Sequence, residues 1–162
     1  MRGYKIETYL KIIFIISLFS LVSAYFIEYV LGHQPCNLCL LERIPYGLSI
    51  GVLALNYVFK KNQKFFILLL ILIFIFSFFI SMYHFGIEQG FFQESTVCGL
   101  NNSSEIISKD ELLKQLQTIT ISCKDVTFKI FGFSLTSFNM ILSLGLIIIL
   151  SKLFINYEKN KS

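Results

Sequence analysis

Four cysteines among 162 residues are the most reactive groups in this chain, and their spacing is uneven. Cys36-Asn37-Leu38-Cys39 is a C-x-x-C pair, whereas 24 residues separate Cys98 from Cys123. Two residues between cysteines on an incipient helix bring the sulfurs within bonding distance and leave the first beside the helix N-terminus. Backbone N–H groups there favour the thiolate, which is the nucleophile of disulfide exchange. Zinc sites use the same spacing. Cys98 and Cys123 do not repeat the C-x-x-C half of such a site, so zinc would have to recruit His33 and His84. No resident metal is expected.

Three further side chains have the types and positions to assist a thiol. Arg43 stands four residues after Cys39, on the same helical face. Its guanidinium either snorkels to headgroups or serves an anionic partner, a sulfur anion or the charge developing on a carbonyl oxygen. Glu42 either pairs with Arg43 or faces outer water. His84, followed one turn later by Glu88, reads as an interfacial residue or as an active group.

Composition fixes the solvent in which these groups are positioned. Hydrophobic residues form 55% of the chain and charged residues 15%, against roughly 25% charged in an average soluble domain. With 18 Phe and a mean hydropathy of +0.70, one compact core is too small to hide the apolar side chains. Disorder needs the opposite composition. A net charge of +4, gathered in short clusters, also excludes a nucleic-acid binder. The chain must use lipid as its solvent.

Four spans are expected, at 12–31, 40–59, 65–83 and 135–155, since about 20 helical residues cross the roughly 30 Å hydrocarbon core. A signal peptide ending near Val22-Ser23-Ala24 is the rival for the first, but its apolar run continues to Leu31. The second opens with Glu42, Arg43 and Pro45, proline being tolerated in a first turn. Gly47, Gly51 and Ala54 then form a small-residue face on which a neighbouring helix would pack. Segments 1–11, 60–64 and 152–162 each hold three Lys or Arg, while residues 87–134 hold four Lys and six acids. The positive-inside rule puts both termini in the cytoplasm and loops 32–39 and 87–134, with every cysteine, outside. In a bacterium that side is oxidising.

In the long loop, Ser108-Lys109-Asp110-Glu111 fits a capping box, and Leu112, Leu113, Leu116 and Ile119 follow at helical spacing. A short amphipathic helix is expected there, lying on the membrane face or packed against the loop. Sequons at 101–104 are assigned no role. Taken alone, Cys98 and Cys123 would read as a structural bridge. A C-x-x-C on the same membrane face favours a redox relay.

The motifs together resemble one family. Pro35-Cys36-Asn37-Leu38-Cys39 with Leu-Leu-Glu-Arg-Ile-Pro-Tyr, then Met82-Tyr83-His84-Phe85-Gly86-Ile87-Glu88, then Cys98-Gly99, are similar to the DsbB/DsbI family of membrane disulfide-generating proteins. Cys123, Phe131-Gly132-Phe133-Ser134 and Asn139 extend the likeness over nearly the whole chain, which would form a single DsbB-like domain, 1–162. That family usually has Gln at the place of Glu42, and often Trp in its outer loop, which this chain lacks.

The resemblance implies an all-α, four-helix bacterial inner-membrane enzyme. Such an enzyme reoxidises a soluble periplasmic DsbA-like thiol oxidase of thioredoxin fold and passes the electrons to a membrane quinone, ubiquinone or menaquinone. By motif position, Cys98 would take the partner's thiolate and Cys123 would be its mate. Cys36 would exchange with that pair, and Cys39 would meet the quinone, with Arg43, His84 and Glu88 around it. Moving two electrons from a DsbA-type couple near about −120 mV to a thioredoxin-like pair near about −270 mV is uphill by about 7 kcal/mol. Cysteines alone would stall, so a more positive lipid-soluble acceptor is required.

Three rivals are weaker. Vitamin K epoxide reductase-like proteins place their C-x-x-C in a late span, whereas here it precedes the second. A carrier needs ionisable groups at mid-membrane, and spans three and four offer chiefly Ser77, Ser137, Asn139 and Ser143. A scaffold with structural disulfides would show no quinone dependence and would tolerate Cys39→Ser. The topology is directly testable: reporter fusions at Asn62 and Ser104 should report opposite sides of the membrane, and the same side for both would sink the four-span arrangement.

Overall fold

The computed structural model describes residues 2–59, 62–93, 98, 122–124, 129–130 and 133–159. The amphipathic stretch expected after Ser108 and the sequons at 101–104 lie outside the described residues. Four helices form a bundle: α1 (Arg2–Tyr29), α2 (Asn37–Val58), α3 (Gln63–Glu88) and α4 (Leu135–Lys159). Each is long and apolar enough to cross a membrane. Two short strands not foreseen from the sequence, β1 (Lys129–Ile130) and β2 (Phe133–Ser134), pair antiparallel just before α4.

The helices overrun most of the expected span ends, and charged residues within them are paired. Arg43 of α2 pairs with Glu28 of α1, and Lys64 of α3 pairs with Glu158 of α4. Capped by Cys36, α2 starts at Asn37 rather than Leu40, so Pro45 lies in its third turn, not its first. Proline has no N–H, so the i−4 bond to the Leu41 carbonyl is absent inside the helix. Likewise α3 runs past Tyr83 to Glu88, carrying His84 and Glu88 into the bundle. Gly90, at φ +79°, follows as a left-handed stop.

α3 packs most extensively against α4 and then α2, while α1 leans on α2. Ile13, Leu53, Ile67, Phe74 and Leu150 meet in the core. Lipid is as apolar as leucine, so burial of such residues does little to choose partners, and close packing and polar pairs must specify the arrangement. Ser49 Oγ donates to Ser17 Oγ at 3.0 Å, and Ser77 and Ser143 hydroxyls meet at 3.0 Å, all fully buried. The expected small-residue packing face behaves otherwise. A Cβ at Gly47 or Gly51 would meet nothing within 4 Å, and Ala54 is exposed, so this face opens outward.

The buried serines separate packing from hydrogen bonding. Ser77→Ala should destabilise by about 0.6 kcal/mol, a typical intramembrane hydrogen bond, whereas Ser77→Leu should destabilise by about 1–3 kcal/mol through overpacking against α4. Reversible unfolding in bicelles measures both. Equal effects would mean that the α3–α4 contact is not close-packed at this level.

Candidate active site

The C-x-x-C begins α2 in a specific way. Cys36 is the N-cap, with extended backbone at φ −72° and ψ 167°, and its sulfur accepts a hydrogen bond from the Cys39 backbone N–H at 3.3 Å. A sulfur thereby occupies the position usually given to a Ser or Asp oxygen. Cys39, the third helical residue, places its Sγ 2.9 Å from that of Cys36. Both are free thiols, so the structure shows the dithiol form of the motif. Donation from the Cys39 thiol brings Cys36 well below the ordinary thiol range, to about 4; burial opposes this, and a hydrogen bond and positive charge from His84 add to it.

His84 is buried, 1% exposed, and joins three helices. Its Nε2 lies 3.5 Å from Cys36 Sγ, and its Nδ1 lies 3.0 Å from Glu42 Oε1. Asn139 of α4 donates from Nδ2 to Glu42 Oε2 at 2.9 Å and to Ser81 Oγ at 2.8 Å, and accepts at Oδ1 from Tyr46. Thr136 Oγ1 lies 3.3 Å from Nδ1 and donates to Glu88 Oε1 at 2.7 Å. An imidazole whose Nδ1–H donates to a carboxylate has its Nε2 lone pair directed at the thiol. It is placed to take the Cys36 proton and to hold the resulting anion.

Cys98 and Cys123 form a disulfide with Cα atoms 5.6 Å apart. Both are buried in one apolar cluster with Cys36, Leu38 and Ile87, against which Cys39 and Tyr83 pack. All four cysteines therefore share one contact region at the same end of the bundle.

Arg43 lies on another side of α2. It pairs with Glu28, and its guanidinium carbon sits 5.0 Å from the centre of the Tyr25 ring. With Leu21, Tyr29, Leu40, Ile44 and Gly47 these residues line a groove of about 430 Å³ between α1 and α2. The missing side chain at Gly47 helps to keep it open. At about 100° per residue, Cys39 is offset by about 40° from Arg43 and about 60° from Glu42, so it stands between the groove and the His84 cluster.

Of the residues singled out from sequence, Cys36, Cys39, His84 and Glu88 come together with the Cys98–Cys123 bridge, while Arg43 turns to α1. Glu42 pairs neither with Arg43 nor with outer water. It is buried against His84 and Asn139. Thr136, Tyr46 and Ser81 were not anticipated. The pattern that reveals Glu42 and Tyr46 is the buried stripe Leu38, Glu42, Tyr46, Ser49, Leu53, Asn56 at steps of three and four. Thr136 and Ser81 carry no comparable mark.

The low Cys36 pKa has a direct readout. An ordinary thiol loses about tenfold in thiolate per pH unit below its pKa near about 8.5. Cys36 should stay a thiolate until the pH falls toward about 4, so its alkylation rate in the reduced protein should be nearly flat from about pH 8 to 5. His84→Ala should restore part of the slope. A full tenfold fall per unit in the parent protein would contradict the assignment.

Comparison with known proteins agrees with this geometry. A family model for the disulfide bond formation protein DsbB matches residues 7–153. The uncharacterized protein RP370 of Rickettsia prowazekii (strain Madrid E) is 33% identical over 153 residues, covering 90% of this chain and 86% of that protein. With four apolar helices and a C-x-x-C pair packed beside a disulfide, the chain is a multi-pass inner-membrane thiol oxidoreductase, and it belongs to the DsbB family.

Proposed function

We propose that the protein generates disulfides by reoxidising a periplasmic DsbA-like dithiol oxidase and passing the electrons to a membrane quinone. Both termini would be cytoplasmic and the cysteines periplasmic. The observation that carries this reading is the burial of Cys36, Cys98 and Cys123 in one cluster against which Cys39 packs.

The partner's thiolate attacks Cys98, breaking the Cys98–Cys123 bond and releasing Cys123 as a thiolate. The partner's second thiol resolves the mixed disulfide and leaves as part of an oxidised partner. The reduced loop pair then attacks Cys36 of a Cys36–Cys39 disulfide, and Cys39 departs with the electron pair. The loop pair is oxidised again and the C-x-x-C is a dithiol.

The groove beside Arg43 fits a quinone. It is lined by Leu21, Leu40, Ile44 and the Tyr25 and Tyr29 side chains, carries the Arg43 guanidinium paired with Glu28, and its volume of about 430 Å³ lies in the usual range for small ligands. Arg43 would hold a carbonyl oxygen there, with Leu21, Tyr25 and Ile44 against the ring. A bound quinone supplies a two-electron acceptor of more positive potential than the thiols. His84 takes the Cys36 proton, and Glu42 and Glu88 hold the imidazole against both sulfur chemistry and solvent.

Two substitutions on the groove side test the assignment. A charge-assisted hydrogen bond contributes about 1.5–3 kcal/mol, so Arg43→Met should lower quinone-dependent turnover on the order of 10–100-fold. Arg43→Lys should lose less, keeping the charge without the planar fork. Gly47→Leu, where an added Cβ meets nothing, should raise the quinone KM by filling the groove. Cysteine pairing should survive all three changes. Unchanged kinetics in both Arg43→Met and Gly47→Leu would place the acceptor elsewhere.

A further inference from the structure

The dithiol form brings together three soft ligand atoms. Cys36 Sγ, Cys39 Sγ and His84 Nε2 all lie within 4.8 Å of one another, and the group is largely buried. Glu88 lies just outside that group. Glu88 Oε1 is 3.8 Å from His84 Nε2, and Glu88 Oε2 is buried without a hydrogen-bond partner, on a side chain only 5% exposed. A buried carboxylate oxygen left unsatisfied asks for an ion or a water. The geometry points to a redox-gated site for a thiophilic d10 cation of the Zn2+ class, bound by Cys36, Cys39 and His84 only while the cysteines are reduced.

Distances and outer contacts both suit it. Bonds of about 2.3 Å to sulfur and about 2.0–2.1 Å to nitrogen put tetrahedral ligand atoms about 3.8 Å apart for two sulfurs and about 3.6 Å for sulfur and nitrogen. The Cys36–His84 separation of 3.5 Å already matches. The two sulfurs, at 2.9 Å, must open by about 1 Å, within reach of a turn of the Cys39 side chain. Glu42 Oε1 on Nδ1, at 3.0 Å, is the carboxylate–histidine arrangement that orients an imidazole with Nε2 toward a metal. A softer set of two thiolates and an imidazole selects zinc-like ions over magnesium or calcium.

Binding moves no electrons. The cation takes the place of protons held by the thiols or imidazole, which go to water. A Cys36–Cys39 disulfide has no thiolates to offer, so oxidation abolishes the site. Occupancy ties up both sulfurs and arrests the protein in its reduced form. The inference rests on the proposed redox cycling of Cys36 and Cys39, but not on which oxidant restores their disulfide.

The test uses the full chain in detergent, carrying Cys98→Ala and Cys123→Ala so that the loop thiols cannot chelate. Zn2+ is titrated by competition with an indicator into the phosphine-reduced and the oxidised protein, and Co2+ reports ligand type through its thiolate charge-transfer band. One Zn2+ per chain is expected in the reduced protein, at least about 100-fold tighter than in the oxidised protein. Cys36→Ser and His84→Ala should remove the site, His84→Cys should retain it, and Glu42→Leu should weaken it about 10-fold or more. Helical circular dichroism identifies any variant that fails to fold. Equal binding in both redox states, or full binding in a folded His84→Ala protein, would overturn the proposal. A parent protein with all four cysteines that forms quinol yet binds no Zn2+ when reduced would overturn this site and leave the electron relay standing.

Discussion

One buried imidazole holds the arrangement together. His84 of α3 touches the Cys36 sulfur and Glu42 of α2, and Thr136 of α4 closes the ring by bonding Glu88. Inside a lipid-facing bundle water is scarce, so nearly all of these groups find a partner in the protein, Glu88 Oε2 excepted. Leaving one unpaired costs about 1–3 kcal/mol, and more for a charged group. The three helices are therefore fixed in relative depth and rotation at the level where the thiols lie. Apolar packing alone, in a solvent of hydrocarbon, would not select that register.

The same network divides α2 into two working faces. Glu42 and Tyr46 look inward to His84 and Asn139, while Arg43 and Gly47, one step around, look to α1 and the groove. Arg43 is neutralised by Glu28, which lets a charged residue sit at the edge of an apolar bundle. Cys39 lies between the faces, in contact with Cys36 and one helical turn from Arg43. A thiol pair that exchanges with a loop disulfide on one side and meets a lipid-soluble acceptor on the other needs this placement.

Much of this was legible in the sequence. The four helices followed from apolar runs that have no other stable form in a bilayer. Cys36 and Cys39 were marked by their spacing. The helix ends were less legible, because Arg43, Glu42 and Lys64 look like boundary residues until their partners, distant in sequence, are known. The same ignorance put Pro45 in a first turn and read Glu42 as a partner of Arg43 or an outward charge. Gly47 and Gly51 matched a helix-packing pattern, but Gly47 lines a groove and Gly51 meets no neighbour, since small residues serve both ends and only the neighbouring helix decides. Thr136 and Ser81 enter the site through tertiary contacts to His84, Glu88 and Asn139, which no local pattern announces.

The central claim is that electrons delivered as partner thiols leave through Cys36 and Cys39 to a quinone. The most direct measurement mixes the purified protein with an excess of a reduced thioredoxin-fold oxidase and a soluble quinone analogue, following quinol optically and partner disulfide by thiol labelling. The account predicts that quinol and oxidised partner appear in equal amounts, at a rate proportional to the protein and abolished by Cys39→Ser. Partner oxidation that stops after the cysteines of the protein are consumed, with no quinol formed, would contradict it.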